Sequence, residues 1–130
     1  MSTYSWQDAE AAIARDLQKL TTDGGSGNFM IVSVGHAYVQ FAGSRGSSKL
    51  QCEAVGNDYL DRQHRLPPEK IDELEKLHFD LQDQPANFAR AVSVATEEQA
   101  GEIARLALGI LERIYGCART SSIDIELTLE

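Results

Sequence analysis

Side chains that carry chemistry are scarce in this chain of 130 residues, which holds two cysteines, three histidines and one tryptophan. Cys52 lies in a strand pattern and Cys117 just past a helix end. Two isolated cysteines make neither a disulfide framework nor a metal site. His36, His64 and His78 fall in a hairpin turn, a loop and a helix end, none with a His or Cys partner at metal-ligand spacing. No metal and no cofactor is expected. No apolar run approaches the ~18 residues that a membrane span needs. The start, MSTYSWQDAEAAIARDL, lacks the basic stretch and apolar run of a secretory signal, so a cytoplasmic location is expected. Basic residues are also few: 12 Lys plus Arg stand against 20 Asp plus Glu, a formal net charge of -8. Such a surface repels phosphate backbones and anionic lipid, so nucleic acid and membranes are poor partners and basic or amphipathic peptides better ones.

What is present is an ordinary globular mixture, 42% hydrophobic and 25% charged, in a length that suits one domain over residues 1–130. Trp6, Ala9, Ile13, Leu17 and Leu20 recur at helical steps and predict a helix over Ser5–Thr22, capped by Ser5 with Asp8 and stopped by Asp23-Gly24-Gly25. Phe29–Val34, Ala37–Ala42 and Lys49–Gly56 then read as a three-stranded antiparallel meander. Gly35-His36 fits a two-residue hairpin turn. The first strand is apolar on both faces, Phe29 and Ile31 against Met30, Val32 and Val34, so it is either covered on both sides or lines an interface. After a polar connection, Pro67-Pro68 opens a helix striped with Ile71, Leu74, Leu77 and His78 that ends near Phe79. Asp80–Asn87 reads as a loop containing Pro85, and Phe88–Ala95 as a strand. Thr96 with Gln99 caps a helix striped with Ile103, Ala107, Ile110, Leu111 and Ile114 and ended by Gly116. The tail alternates strictly, Ile123, Ile125, Leu127 and Leu129 against Asp124, Glu126, Thr128 and Glu130. It predicts a half-buried strand whose acidic outer face discourages edge-to-edge aggregation. The fold class is therefore α+β: an antiparallel sheet, the meander plus later strands, packed against N-terminal, middle and C-terminal helices.

No catalytic constellation stands out. Cys52 beside Glu53 could be drawn as a nucleophile with His36 as base, but a cysteine alternating with polar residues in a strand is read as core. Asp23–Asn28, DGGSGN, follows a helix and precedes a strand, and it lacks the Lys-Ser/Thr that ends a phosphate loop. Glu69, Asp72, Glu73 and Glu75 share their helix with Lys70 and Lys76 and read as a solvated face. No enzyme is expected. Met and aromatic residues on the strands (Phe29, Met30, Tyr38, Phe41, with Tyr59 beyond) can form an adaptable binding surface or the core beneath the helices.

Tyr38-Val39-Gln40-Phe41-Ala42, followed by Glu53-Ala54-Val55-Gly56-Asn57-Asp58-Tyr59-Leu60, resembles the TY-Chap family. These are type III secretion chaperone-like and YbjN-like peptide-binding chaperone domains, here similar to the actinobacterial, hence bacterial, branch. Leu66-Pro67-Pro68-Glu69 through Leu77-His78-Phe79, Asn87-Phe88-Ala89-Arg90, and Leu106 through Ile114-Tyr115-Gly116 agree in order. The likeness runs over most of Phe29–Gly116. It implies an α-β-β-β-α-β-β-α-like chaperone sheet, often dimeric, that holds a client segment on apolar patches; the tail strand stands beyond that order.

The sequence thus points to a non-enzymatic module holding a peptide segment of a partner protein at a sheet edge or beside the last helix. Candidate contacts are Met30, Val32, Tyr38 and Gln40 on the sheet, with Asn57 and Tyr59 at its end. A homodimer is compatible with the resemblance. The alternative is a dedicated inhibitor or immunity-type protein that binds one folded basic partner through acidic residues such as Asp58, Asp61, Glu69, Asp72 and Glu73.

Overall fold

The computed structural model describes residues 1–81 and 86–130. The elements run β1 (Ser2–Tyr4), α1 (Trp6–Thr22), β2 (Asn28–Val34), β3 (Ala37–Gly43), β4 (Lys49–Ala54), α2 (Pro68–Lys76), β5 (Asp80–Leu81), β6 (Phe88–Ser93), α3 (Glu97–Arg113) and β7 (Ile123–Thr128). Two short 3-10 turns, Asn57–Tyr59 and Arg62–His64, carry the chain from β4 to α2. The strands form one antiparallel sheet of order β1-β7-β2-β3-β4-β6-β5.

Local chemistry explains the elements. Ser5 Oγ accepts from the Asp8 amide at 3.2 Å and starts α1. Thr96 Oγ1 accepts from the Gln99 amide at 3.1 Å, while Gln99 Oε1 accepts from the Ala95 amide at 2.7 Å, and α3 starts there. Gly35 has φ +60 and His36 a negative φ, so the β2–β3 turn is the glycine-first hairpin type whose twist matches the strands. Pro67 is the N-cap of α2 and Pro68 its first residue, where the missing N–H costs no helical bond.

The sheet has one covered face. Met30 opposes Phe41, Phe41 opposes Cys52 and Val32 opposes Ile125, so these side chains point the same way. They are buried beneath α1 and α3 with Ile13, Leu17, Leu20, Ala104, Ala107 and Leu111. Each large apolar side chain buried there contributes about 1.5–3 kcal/mol of gross stabilisation. α2 closes the end of this layer through Leu74, and Lys70 Nζ donates to the Arg113 carbonyl at 2.8 Å. Asn28 ties the other end together. Its Nδ2 donates to the Leu20 and Asp23 carbonyls at 3.0 and 2.8 Å, and its Oδ1 accepts from the Gly25 and Glu130 amides at 3.1 and 3.0 Å.

Three features differ from the sequence reading. The tail strand β7 lies inside the sheet, between β1 and β2, so its acidic residues line a face and guard no edge. β1 and β5 are strands that no periodicity announced; three and two residues are too few to show any, and their geometry comes from pairing with β7 and β6. The expected loop Asp80–Asn87 therefore begins as a strand, and its Pro85 lies outside the described residues.

Candidate functional site

The second face of the sheet has no described helix over it. Strand alternation brings Phe29, Ile31 and Ser33 of β2 onto it with Tyr38, Gln40 and Ala42 of β3. Gln51 and Glu53 follow from β4, Ala89 and Ala91 from β6, and Asp124 and Glu126 from β7. One row reads Glu126, Ile31, Gln40, Glu53, Ala89 and Asp80 across the sheet. Phe29 and Ile31 are half-buried, Ala42 and Ala91 exposed. The face is a narrow apolar strip among carboxylates, with Lys49 at its margin.

Its polar side chains are held in place. Asn87 Oδ1 accepts from the Gly56 amide at 3.0 Å and from the Tyr38 hydroxyl at 3.3 Å. Asn87 Nδ2 donates to Glu53 Oε1 at 3.1 Å, and Gln40 Nε2 donates to the same oxygen at 3.4 Å. Position 56 must be glycine for this arrangement, because a Cβ there would overlap the Ala86 carbonyl. The network fixes Tyr38 and Gln40 before any partner arrives, which lowers the ordering cost of a contact.

The far side of β6 is the second element of the site. The Val94 amide donates to the Ser48 carbonyl at 2.7 Å, so the opposed pair Ser48–Val94 is a hydrogen-bonded one. Bonded pairs recur every second residue in an antiparallel ladder. Val92 with Leu50 and Arg90 with Cys52 are then bonded too, and Ala89, Ala91 and Ser93 turn their N–H and C=O outward. β5 meets only Ala89 and Phe88. Among the described residues no strand lies beside Ala91 and Ser93; the Ala91 carbonyl receives only a long 3.4 Å contact from Arg90 Nε. That stretch is an open strand edge.

The residues singled out from sequence separate into three groups. Tyr38 and Gln40 are on the open face. Met30 and Val32 are corrected from contact to core: both are fully buried on the helix side, because alternate residues of a strand point to opposite faces. Their neighbours Phe29 and Ile31, whose apolar character on the other parity was the visible signal, occupy the face instead. Asn57 staples its own loop, with Nδ2 donating to the Leu66 carbonyl at 3.1 Å and Oδ1 accepting from the Leu66 amide at 2.7 Å. Tyr59, in the same turn, is 53% exposed. Ala91 and Ser93 were not foreseen, since which strand ends the sheet is set by long-range pairing.

Cys52 is fully buried, and burial pushes its thiol up to about 12, so it stays protonated at neutral pH. His36 lies at the hairpin turn, and Cys52 is not on the wall of the cavity that His36 lines. Among the described residues no group of three His, Cys, Asp or Glu side chains could hold a metal ion. Among the described residues, too, no helix is long and apolar enough to cross a membrane.

A family model, TY-Chap3, described as "T3SS (YopN, CesT) and YbjN peptide-binding chaperone 3", matches residues 2–127. This chain belongs to that family. No curated protein and no solved structure matches it. The TY-Chap3 match is wider than the stretch that carried the resemblance, since it takes in β1, α1 and most of β7. The tail strand is thus part of the TY-Chap3 unit and no departure from it. The α+β sheet with helices on one side is consistent with a chaperone-like domain.

Proposed function

We propose that this TY-Chap3 domain is a non-enzymatic, cytoplasmic holder of an extended client segment. The segment adds itself as a short strand beside Ala91 and Ser93 of β6 and lays alternate side chains toward the open face. The observation that carries this reading is the uncovered β6 edge adjoining a face with Phe29, Ile31, Tyr38 and Gln40, in a chain whose family is described as peptide-binding. Backbone pairing supplies affinity without demanding one sequence, and the face supplies preference. Glu53, Asp80, Asp124 and Glu126 on that face, with a net charge of -8 overall, favour basic segments.

The test is a peptide array probed with the full chain, followed by anisotropy titration of the best segments. Binding of extended segments, weakened by salt and lost on blocking the β6 edge, is the expected result; no segment bound above background refutes the reading. A pull-down at low and high salt separates the rivals. Many substoichiometric clients support the holder, whereas a single folded basic protein lost at high salt supports the inhibitor-type alternative. The same edge suits a second copy of the chain, so sedimentation across concentration distinguishes a homodimer from a monomer awaiting its client.

A further inference from the structure

A cavity of about 500 Å³ opens at the opposite end of the sheet from the free β6 edge, between the β2–β3 turn, the Arg62–His64 turn, the start of α2 and the end of α3. Its wall is unlike the rest of this acidic chain: Arg65, Lys70 and Arg113 line it with the imidazoles of His36 and His64, against one carboxylate, Glu112. Glu112 is already committed. It accepts from Arg119 Nε at 2.6 Å and Nη2 at 3.2 Å, and that guanidinium holds its carboxyl below the usual value.

The cations are not equally spent. Lys70 Nζ serves the Arg113 carbonyl at 2.8 Å and Glu73 Oε2 at 3.3 Å. Arg65 gives only Nε to the Leu60 carbonyl at 3.4 Å. Among the described residues Arg65 has no carboxylate at ion-pair distance, whereas the Arg113 guanidinium lies back along α3 against Gly109, which is not on this wall. The His36 and His64 rings stack with centroids 3.6 Å apart. His64 Nδ1 is buried without a hydrogen-bond partner among the described residues; the carboxylate of the exposed Asp61 is 4.0 Å away, too far to accept. α2 begins at this rim with no side-chain cap, so the positive end of its dipole adds to the same field. The remaining wall is apolar, built by Leu66, Pro67, Ile114 and the ring of Tyr115, whose hydroxyl is already donated to the Val55 carbonyl at 2.5 Å.

We propose that this cavity binds a carboxylate carried on an apolar body, the charged head against Arg65 and the histidine pair with Lys70 beside them, and the body against Leu66 and Ile114. A guanidinium fork without an ion pair, that of Arg65, suits a planar carboxylate. The apolar wall calls for a body that inorganic anions lack. A net charge of -8 disfavours a dianion about twice as strongly as a monoanion, so a single carboxylate fits better than a phosphate. The carboxylate has two sources, the C-terminus of a peptide or a free small acid. The proposal goes beyond the strand-adding function and does not depend on it.

The experiment follows the imidazole proton resonances of His36 and His64 in the full chain, with His78, which does not line the cavity, as internal control. The probes are N-acetyl-leucine, N-acetyl-leucinamide, N-acetyl-glycyl-glycyl-leucine and inorganic phosphate. N-acetyl-leucine is expected to shift His36 and His64 saturably and to leave His78 unmoved. The amide should bind at least about tenfold more weakly, as loss of a charge-assisted bond implies. Arg65→Gln should shrink the difference between acid and amide without moving the urea midpoint. Should that variant unfold, the acid–amide comparison on the unaltered chain still decides. Tighter binding of the tripeptide acid assigns the source to a peptide C-terminus, and equal binding assigns it to a small acid. Equal shifts with acid and amide, stronger binding of phosphate, or an acid preference undiminished in Arg65→Gln overturns the proposal. Segments that bind the β6 edge while all these probes fail would leave the proposed function standing, and the reverse pattern would leave only the cavity.

Discussion

Replacing Ala91 by proline addresses the β6 edge at one atom. The Ala91 N–H points away from β4, so its loss removes no bond of the folded sheet. Proline is tolerated on edge strands for that reason. The side chain is exposed and packs against no helix. Fixing φ near −65° in a strand is the remaining penalty, and Ala91→Pro should cost about 1 kcal/mol of stability or less. Val92→Pro, one residue on, is the contrast. The Val92 N–H faces β4 opposite Leu50 and its side chain is buried, so that variant should lose about 3 kcal/mol or more.

The effect on binding should run the other way. An added strand would pair with the N–H and C=O of Ala91 and of Ser93, each bond contributing about 0.5–1.5 kcal/mol net. The proline ring removes the Ala91 donor and pushes the incoming strand off its carbonyl. A loss of about 1–3 kcal/mol follows, or about 5- to 150-fold in affinity. Anisotropy titration of an array-selected segment reads the affinity, and urea unfolding reads the stability. If Ala91→Pro binds that segment as tightly as the unaltered chain, the edge is not where the segment goes and the reasoning is wrong.

Asn28→Ala should destabilise the fold by about 2–4 kcal/mol in urea unfolding, because it strands the carbonyls of Leu20 and Asp23 and the amides of Gly25 and Glu130. A loss under about 1 kcal/mol would mean that water replaces those bonds. His36 is held below its ordinary value of 6.5, first by partial burial and then by the neighbouring His64, with Asp61 opposing and Lys70, Glu112 and Arg113 on the same cavity wall. The unfolded chain therefore takes up this proton first, so stability should fall as pH drops below about 6.5. His36→Gln should flatten that slope, and a slope unchanged in the variant counts against the assignment. Thiol labelling of the native chain should modify half-exposed Cys117 well before buried Cys52, and equal rates by mass spectrometry would contradict the burial of Cys52.

Much of this architecture is written locally. Ser5 with Asp8, Thr96 with Gln99, Pro67-Pro68 and Gly35-His36 each mark an element boundary with the chemistry that boundary requires, and the structure places elements there. The candidate site is written less locally. β2 is apolar on both parities, so its own residues do not say whether Met30 or Phe29 faces the helices; that is settled by α1 and α3, which are remote in sequence. Tyr38 and Gln40 reach the open face because their register with β2 makes them follow Ser33 and Ile31. The β6 edge depends on strand order, and β5 is too short to be seen coming. The histidine pair is hidden for the same reason: nothing near His36 or His64 in sequence refers to the other.

The two ends of the sheet ask for opposite chemistry. At the β6 edge the surroundings are acidic and the binding groups are uncharged amides and carbonyls, so salt weakens long-range attraction while the backbone bonds persist. At the cavity the binding groups include the Arg65 guanidinium and the Lys70 ammonium, and added anions compete for them. Among the described residues only Ala91 and Ser93 are open on the β6 edge, with Asp80 beside them, and β1 is three residues long, so little edge is left for a second sheet to pair with. A partner must then be a short extended segment able to tolerate acidic neighbours. Neutralising Arg65 should leave the affinity for such a segment unchanged, and Ala91→Pro should leave the cavity's preference for acid over amide unchanged. Coupling between the two would require a single client long enough to span the sheet from the free edge to the β2–β3 turn, which a binding-competition measurement between an edge segment and N-acetyl-glycyl-glycyl-leucine detects directly.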